Sequence, residues 1–266
     1  MKTIFERVEE HYKEAHEYFS DDQIVGCFLQ GSQNYQLDLP GSDVDTKLIV
    51  VPKFQDIALN SKPVSTTHIR ANEEHIDFKD IRLYMETFRK QNLNFLEILF
   101  TPYSLVNCEY EQQWDRLEIA RERIARMNPW RAVKSMKGIA LEKFHAMEHA
   151  YPSKLEVLAQ HGYDPKQLHH LVRVDNYLTR YIAGDKYEDC LIPTEEMKKF
   201  LLDIKRGNWE LAAARELATM SLEHVTKIAD EFCAQTEDKE DAEMRELLED
   251  VSYNIMKIAV EKELNS

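Results

Sequence analysis

Two apolar runs, separated by a glycine-serine turn and a pair of spaced aspartates, set the tightest limit on what this chain can fold into. Ile24 to Gln30 (IVGCFLQ) has the length and apolar content of a buried strand, and Leu48-Ile49-Val50-Val51 continues a second strand until Pro52 stops it. Between them stand Gly31-Ser32-Gln33-Asn34-Tyr35 and Ser42-Asp43-Val44-Asp45-Thr46-Lys47. The pattern predicts a strand, a turn, a short helical segment and a strand. Alternate side chains of a strand share a face, so Asp43 and Asp45 point one way and Val44 goes to the core. Two carboxylates so placed repel unless positive charge lies between them. Hard divalent cations supply it, since Mg²⁺ favours carboxylates together with substrate phosphate oxygens over an all-protein cage. Gly31 lets the backbone approach a ligand, and the N–H groups of Ser32 and Gln33, opening a helical turn, suit a phosphate.

This arrangement, GSQNYQLDLPGSDVDTKLIVV, resembles the nucleotidyltransferase superfamily that includes DNA polymerase β, whose signature is Gly-Ser, a spacer, then Asp-x-Asp on the next strand. The form GSxNYxL with SDVD, followed by a helix and NFLEILF (Asn94 to Phe100), is similar to a bacterial and phage subgroup of predicted nucleotidyltransferases. The resemblance implies a third carboxylate on a later strand in an apolar context. HIDF puts Asp77 in that role, with Asp80 as the fallback. It further implies Mg²⁺ or Mn²⁺ held by Asp43, Asp45 and Asp77, an NTP as donor with Gly31 and Ser32 at its phosphates, and release of pyrophosphate. RNA or tRNA ends, protein hydroxyls and small molecules are the acceptors such enzymes use. The rival within the same fold is a catalytically silent nucleotide-binding regulatory module.

Composition bounds these readings. At 266 residues the chain can bury a good core, and 43% apolar with 31% charged residues describes a soluble globular protein. No apolar run approaches the roughly 18 residues needed to cross a bilayer, and the charged amphipathic N-terminus does not read as a secretory signal. Cys27, Cys108, Cys190 and Cys233 are scattered, without a zinc or disulfide pattern, which fits reduced thiols in a cytoplasmic protein. A net charge of −14 disfavours broad phosphate-backbone binding and favours a short end or small acceptor over a long duplex.

Residues 2 to 19 carry apolar residues at near-helical spacing, so a helix precedes the first strand. Val64 to Arg70 and Glu74 to Ile81 read as strands, the second alternating with His75, Asp77 and Lys79 on its polar face. Leu83 to Gln91 and Phe95 to Phe100 read as helices, the latter capped by Asn94. Thr101-Pro102 marks the boundary. Beyond it the segments 108–126, 129–151, 153–160, 165–183, 193–206, 209–237 and 242–265 all read helical. The expected class is α+β: an α/β nucleotidyltransferase domain over 1–102, then an all-α domain over 103–266.

In the helical half Lys166, His170 and Arg173 share one helix face through spacings of four and three. The subgroup has a similar GYD-x-K, His, Arg pattern, here Gly162-Tyr163-Asp164-Pro165-Lys166 with His170 and Arg173, and the resemblance makes this face a clamp for the triphosphate. A solvated basic face with His170 half-buried against it is the plainer reading. Lys134 and Lys137, one turn apart in a segment also similar to that subgroup, face either the nucleotide phosphates or solvent. Tyr35 either packs under the phosphate loop or borders the base. His145-Ala146-Met147-Glu148-His149 matches the inverted zinc-protease signature H-x-x-E-H, but so short a pattern arises readily by chance among ten histidines. Trp114, Trp130 and Trp209 fall on apolar helix faces and read as core. The acidic stretch Glu237 to Glu249 reads as a solvated helix face.

Overall fold

A computed structural model describes residues 2–265. It is an α+β fold in which five strands form a mixed sheet and helices make up most of the rest. The strands are β1 (Ile24–Gln30), β2 (Asp45–Val50), β3 (Ser65–Ile69), β4 (His75–Asp80) and β5 (Ser104–Val106), in the order β3-β4-β2-β1-β5. β1 pairs antiparallel with β2 and β5, β3 antiparallel with β4, and β2 parallel with β4. Ile24–Leu29 is buried throughout because β1 lies between β2 and β5 and is covered on both faces, and only Gln30 at its end is partly exposed. β4 alternates in burial, as the HIDFKD pattern requires.

The N-terminal helix Ile4–Ala15 starts in a capping box between Thr3 and Glu6. Val8 and Ala15 on this helix share one apolar core with Cys27, Leu29, Leu48, Val50, Ile76 and Phe78. The opposite face of the sheet buries Phe28 against Trp114, ring centroids 4.4 Å apart. On that face the strand register aligns Gln30 with Asp45, and Lys47 with Asp77.

Gly26 in β1 tolerates no side chain: a Cβ there would lie 2.8 Å from Phe28 Cζ and 2.9 Å from the Leu105 carbonyl oxygen. Gly26→Ala is therefore expected to destabilise the sheet by about 1–3 kcal/mol, the usual cost of overpacking a filled core. A thermal melt that matches the parent chain would refute it.

The chain divides into two compact units, and their limits differ from the boundary expected at Thr101-Pro102. The sheet unit comprises residues 1–34, 40–127 and 240–266, and the helical unit 35–39 and 128–239. The sheet unit runs past residue 102 because Leu105 and Val106 pair with Cys27 and Gly26 and close one side of the sheet. It also takes up the helices Glu111–Ile119, Arg121–Ala125 and Ala242–Asn265. Trp114 belongs to its core, and Arg89 holds Glu240 at 2.9 Å. A three-residue strand such as β5 carries too little periodicity to stand out in a sequence. The segment expected as one helix over 108–126 breaks at Ala120, and the one over 129–151 stops at Ala146. Asn92, rather than Asn94, caps the short helix Leu93–Leu96, accepting the Asn94 N–H at 3.0 Å.

Within the helical unit, Pro129–Ala146, Pro165–Ala183, Glu195–Lys205 and Leu211–Gln235 are the principal helices. Asn128 and Asp164 cap the first two, each with proline at the first helical position. The acidic stretch at 237–249 is not a bare charged face. Asp238 bonds Arg131 in the helical unit, while Asp241 and Glu243 both hold Arg123 in the sheet unit.

Candidate active site

The turn after β1 is built on Gly31, whose φ of +97° suits a residue without a side chain. Its N–H donates to Glu97 Oε1 at 3.3 Å, and Glu97 is buried beneath it. The Gly31 amide is thus already engaged, and the residue shapes the turn that presents the Ser32 and Gln33 amides. Ser32 opens the short 3-10 segment Ser32–Tyr35 and is partly exposed. Gln33 Nε2 donates to the Asp43 carbonyl at 2.5 Å, tying the turn to the aspartate segment.

Asp43 and Asp45 flank Val44, which is fully buried. This is the alternation expected from their spacing. Asp43 is exposed, and its carboxylate makes no hydrogen bond or ion pair among the described residues. Asp45 Oδ1 accepts the His75 N–H at 2.9 Å, and the side chain stays about a third exposed. These two carboxylates suit a divalent cation that completes its coordination with water and substrate oxygens.

Asp77 stands differently. It shares the face of Asp45, one strand over, but its Oδ1 accepts from Thr67 Oγ1 at 2.6 Å and its Oδ2 from Gln30 Nε2 at 3.2 Å. The Lys47 ammonium lies 3.8 Å from Oδ2. Among the described residues no three histidine, cysteine, aspartate or glutamate side chains gather closely enough to hold one ion. Of the three expected acids, Asp77 is as exposed as Asp45 but is the one whose two carboxylate oxygens both accept hydrogen bonds. Asp80, the fallback, is buried and structural: it caps helix Ile81–Arg89 and pairs with Arg82 at 2.7 Å.

Lys47 is the residue that sequence reasoning passed over. It is buried, and burial brings its ammonium down to about 8 even though Asp77 and Asp45 pull the other way. Two residues past Asp45 on the same strand, it must share that face. Lys47 and Lys79 each set their ammonium 4.2 Å from the centroid of the Phe95 ring.

No protein-family model matches the chain, and no curated protein does. The reading of the site therefore rests on its own geometry and on the motif.

The helical unit brings together Lys166, His170 and Arg173, as the i, i+4, i+7 spacing requires. Burial, reinforced by the positive charges of Arg173, Lys166 and Lys143, holds His170 well below its usual range. Arg173 is buried with its guanidinium 3.6 Å above the ring of Tyr35, so Tyr35 serves as a packing surface for that cation. Lys205 joins the group: its ammonium donates to the Leu37 carbonyl at 2.7 Å, and burial, with Lys166 and Arg173 near it, brings it down to about 8. Lys137 is not part of this cluster, because Asp230 holds it at 2.6 and 2.8 Å. Lys134 lies over the ring of Trp130.

The H-x-x-E-H motif fails on geometry. The helix carrying His145 ends at Ala146, so His149 does not share its face. Glu148 is engaged by two nitrogens of Arg215, and His149 packs on Tyr151.

Proposed function

We propose that this protein is a magnesium-dependent nucleotidyltransferase, moving an NMP group from an NTP to a hydroxyl acceptor and releasing pyrophosphate. One observation carries the reading. Asp43 and Asp45, accessible and flanking a buried valine at the start of β2, stand beside the Gly31–Ser32 turn that ends β1, with Gln30 and Asp45 paired in register. Asp43 and Asp45 would hold the ion, which supplies neutralisation of phosphate charge and a lowered pKa for the acceptor hydroxyl.

The chain's own groups do the positioning. Ser32 and the amides of its turn would bind phosphate oxygens. Asp77, fixed by Thr67 and Gln30, lies beside Lys47 and keeps that positive charge on the face that carries Asp45. The acceptor hydroxyl gives its proton to solvent as its oxygen forms a bond to the α-phosphorus; the bond from that phosphorus to the bridging oxygen breaks, and the electron pair leaves on pyrophosphate. In the helical unit, the cluster of Lys166, Arg173 and Lys205 is suited to phosphate oxygens. Arg173→Ala is expected to weaken NTP binding by about ten-fold or more, the loss of one charge-assisted contact. Equal affinity in a titration with a labelled NTP would refute this.

The deciding experiment measures pyrophosphate release with each NTP and Mg²⁺ or Mn²⁺, in the presence of total RNA, total protein or a small-molecule extract. Transfer of label into one fraction supports the reading and names the acceptor class. The silent nucleotide-binding module is the second reading, favoured by the satisfied state of Asp77. It predicts NTP binding without pyrophosphate release in any fraction.

A further inference from the structure

The face that carries Asp45 and Asp77 continues into a cleft of about 210 Å³, lined by Lys47, Ser65, Thr67, Asp77, Lys79 and Phe95. Its charge is unbalanced. Two ammonium groups flank one aromatic ring, and the single carboxylate among them already accepts from Thr67 and Gln30. Lys47 is 6% exposed, and its nearest carboxylate oxygen, at 3.8 Å, is beyond hydrogen-bond length. A buried ammonium that makes no hydrogen bond to that carboxylate is costly, and an oxyanion entering the cleft would relieve the cost.

We propose that this cleft is a subsite for an oxyanion, a phosphomonoester or carboxylate, borne by the acceptor. The assignment to the acceptor rests on the nucleotidyl-transfer reading and on strand order. The Gly31–Ser32 turn follows β1, whereas the cleft lies on the β4 and β3 side of β2. Neighbouring strands are about 4.8 Å apart, so β4, which lines the cleft with Asp77 and Lys79, lies roughly 10 Å from β1. In-line displacement needs the entering and leaving oxygens on opposite sides of the phosphorus. A cleft across β2 from the turn meets that need for the entering group. Lys47 and Lys79 are then the residues that select an acceptor carrying its own negative charge, such as a nucleic-acid end with a terminal phosphate or a small phosphorylated alcohol.

The test uses the full chain, ¹⁵N-labelled, titrated with inorganic phosphate and followed through the amide signals of Thr67 and Lys79. Saturable shifts are expected, and they persist when α,β-methylene-ATP is already bound. Lys47→Met and Lys79→Met are each expected to weaken phosphate binding by about ten-fold, the size of one charge-assisted hydrogen bond. Lys79 is only partly buried, so its variant keeps the test valid should Lys47→Met fail to fold. Absence of a saturable shift, or binding that neither substitution alters, would overturn the subsite. Competition by the ATP analogue would give the cleft to the donor's phosphates and overturn the acceptor assignment. Lysine-dependent phosphate binding without pyrophosphate release would sink the transferase reading instead and leave the oxyanion subsite standing.

Discussion

Asp45→Asn is expected to lower Mg²⁺-dependent pyrophosphate release by about a thousand-fold or more while leaving the fold unchanged. The two halves of that expectation have separate causes. Asp45 uses Oδ1 to accept the His75 N–H at 2.9 Å, and an asparagine carbonyl in the same place can accept the same bond. What asparagine cannot do is carry charge. With Asp43 alone left charged, an ion held by the pair would lose half its protein ligands, and removing one preorganised electrostatic partner from a phosphoryl centre costs about 10²–10³ in rate or more. Asp77→Asn is the informative comparison. Its oxygens are already engaged by Thr67, Gln30 and Lys47, so the substitution should disturb Lys47 more than the ion. Titration of Mn²⁺ by electron paramagnetic resonance separates the cases: binding lost in Asp45→Asn and kept in Asp77→Asn agrees with two carboxylate ligands. Full pyrophosphate release by Asp45→Asn would remove the ligand role altogether.

Glu74→Ala should be the most damaging single change to the stability of the sheet unit. Glu74 is buried at the start of the β4 region and sits in a closed network. Arg7 pairs with its Oε1, Arg70 reaches Oε2 at 2.5 Å and His11 Nε2 lies 3.0 Å from Oε2. Removing the carboxylate leaves Arg7 without its carboxylate partner and Arg70 with Glu14 alone, a loss of about 3–5 kcal/mol for a broken buried pair. Glu74→Gln, which still accepts from His11, should cost less. Unfolding by urea, followed through hydrogen exchange of the β2 amides, measures both; equal stability of Glu74→Ala and the parent would refute the network's role.

The same network makes stability depend on pH. His11 is fully buried, with Nδ1 2.9 Å from Thr46 Oγ1 and Nε2 directed at Glu74. Burial, aided by the positive charge of Arg70, lowers its pKa from 6.5 to about 4. Since two arginines already match Glu74, the ring is neutral and donates through Nε2–H. Between pH 6.5 and 4 the unfolded chain binds a proton that the folded unit refuses, so stability falls as pH drops through that window. His169, buried in the helical unit and lowered to about 4, acts in the same direction there. His11→Gln should flatten the dependence for the β2 amides alone, and an unchanged slope would refute it.

Much of this protein is determined by local sequence. The strand-turn-strand around Gly31, the alternation of Asp43, Val44 and Asp45, the half-buried β4 and the capped helix beginning at Pro165 all follow from periodicity and capping within short stretches. The tertiary structure decided the rest, because it depends on which strands become neighbours. Parallel pairing of β2 with β4 set Lys47 opposite Asp77, and antiparallel pairing with β1 set Gln30 beside Asp45. Those pairings gave both oxygens of Asp77 a hydrogen-bond donor and Asp45 only the His75 N–H, a difference invisible in three aspartates read alike. Likewise β5 and the C-terminal helix joined the sheet unit through contacts between residues far apart in the chain, where no local pattern records the partner. Sequence spacing decides which face a side chain takes, and only the packed fold decides what that face meets.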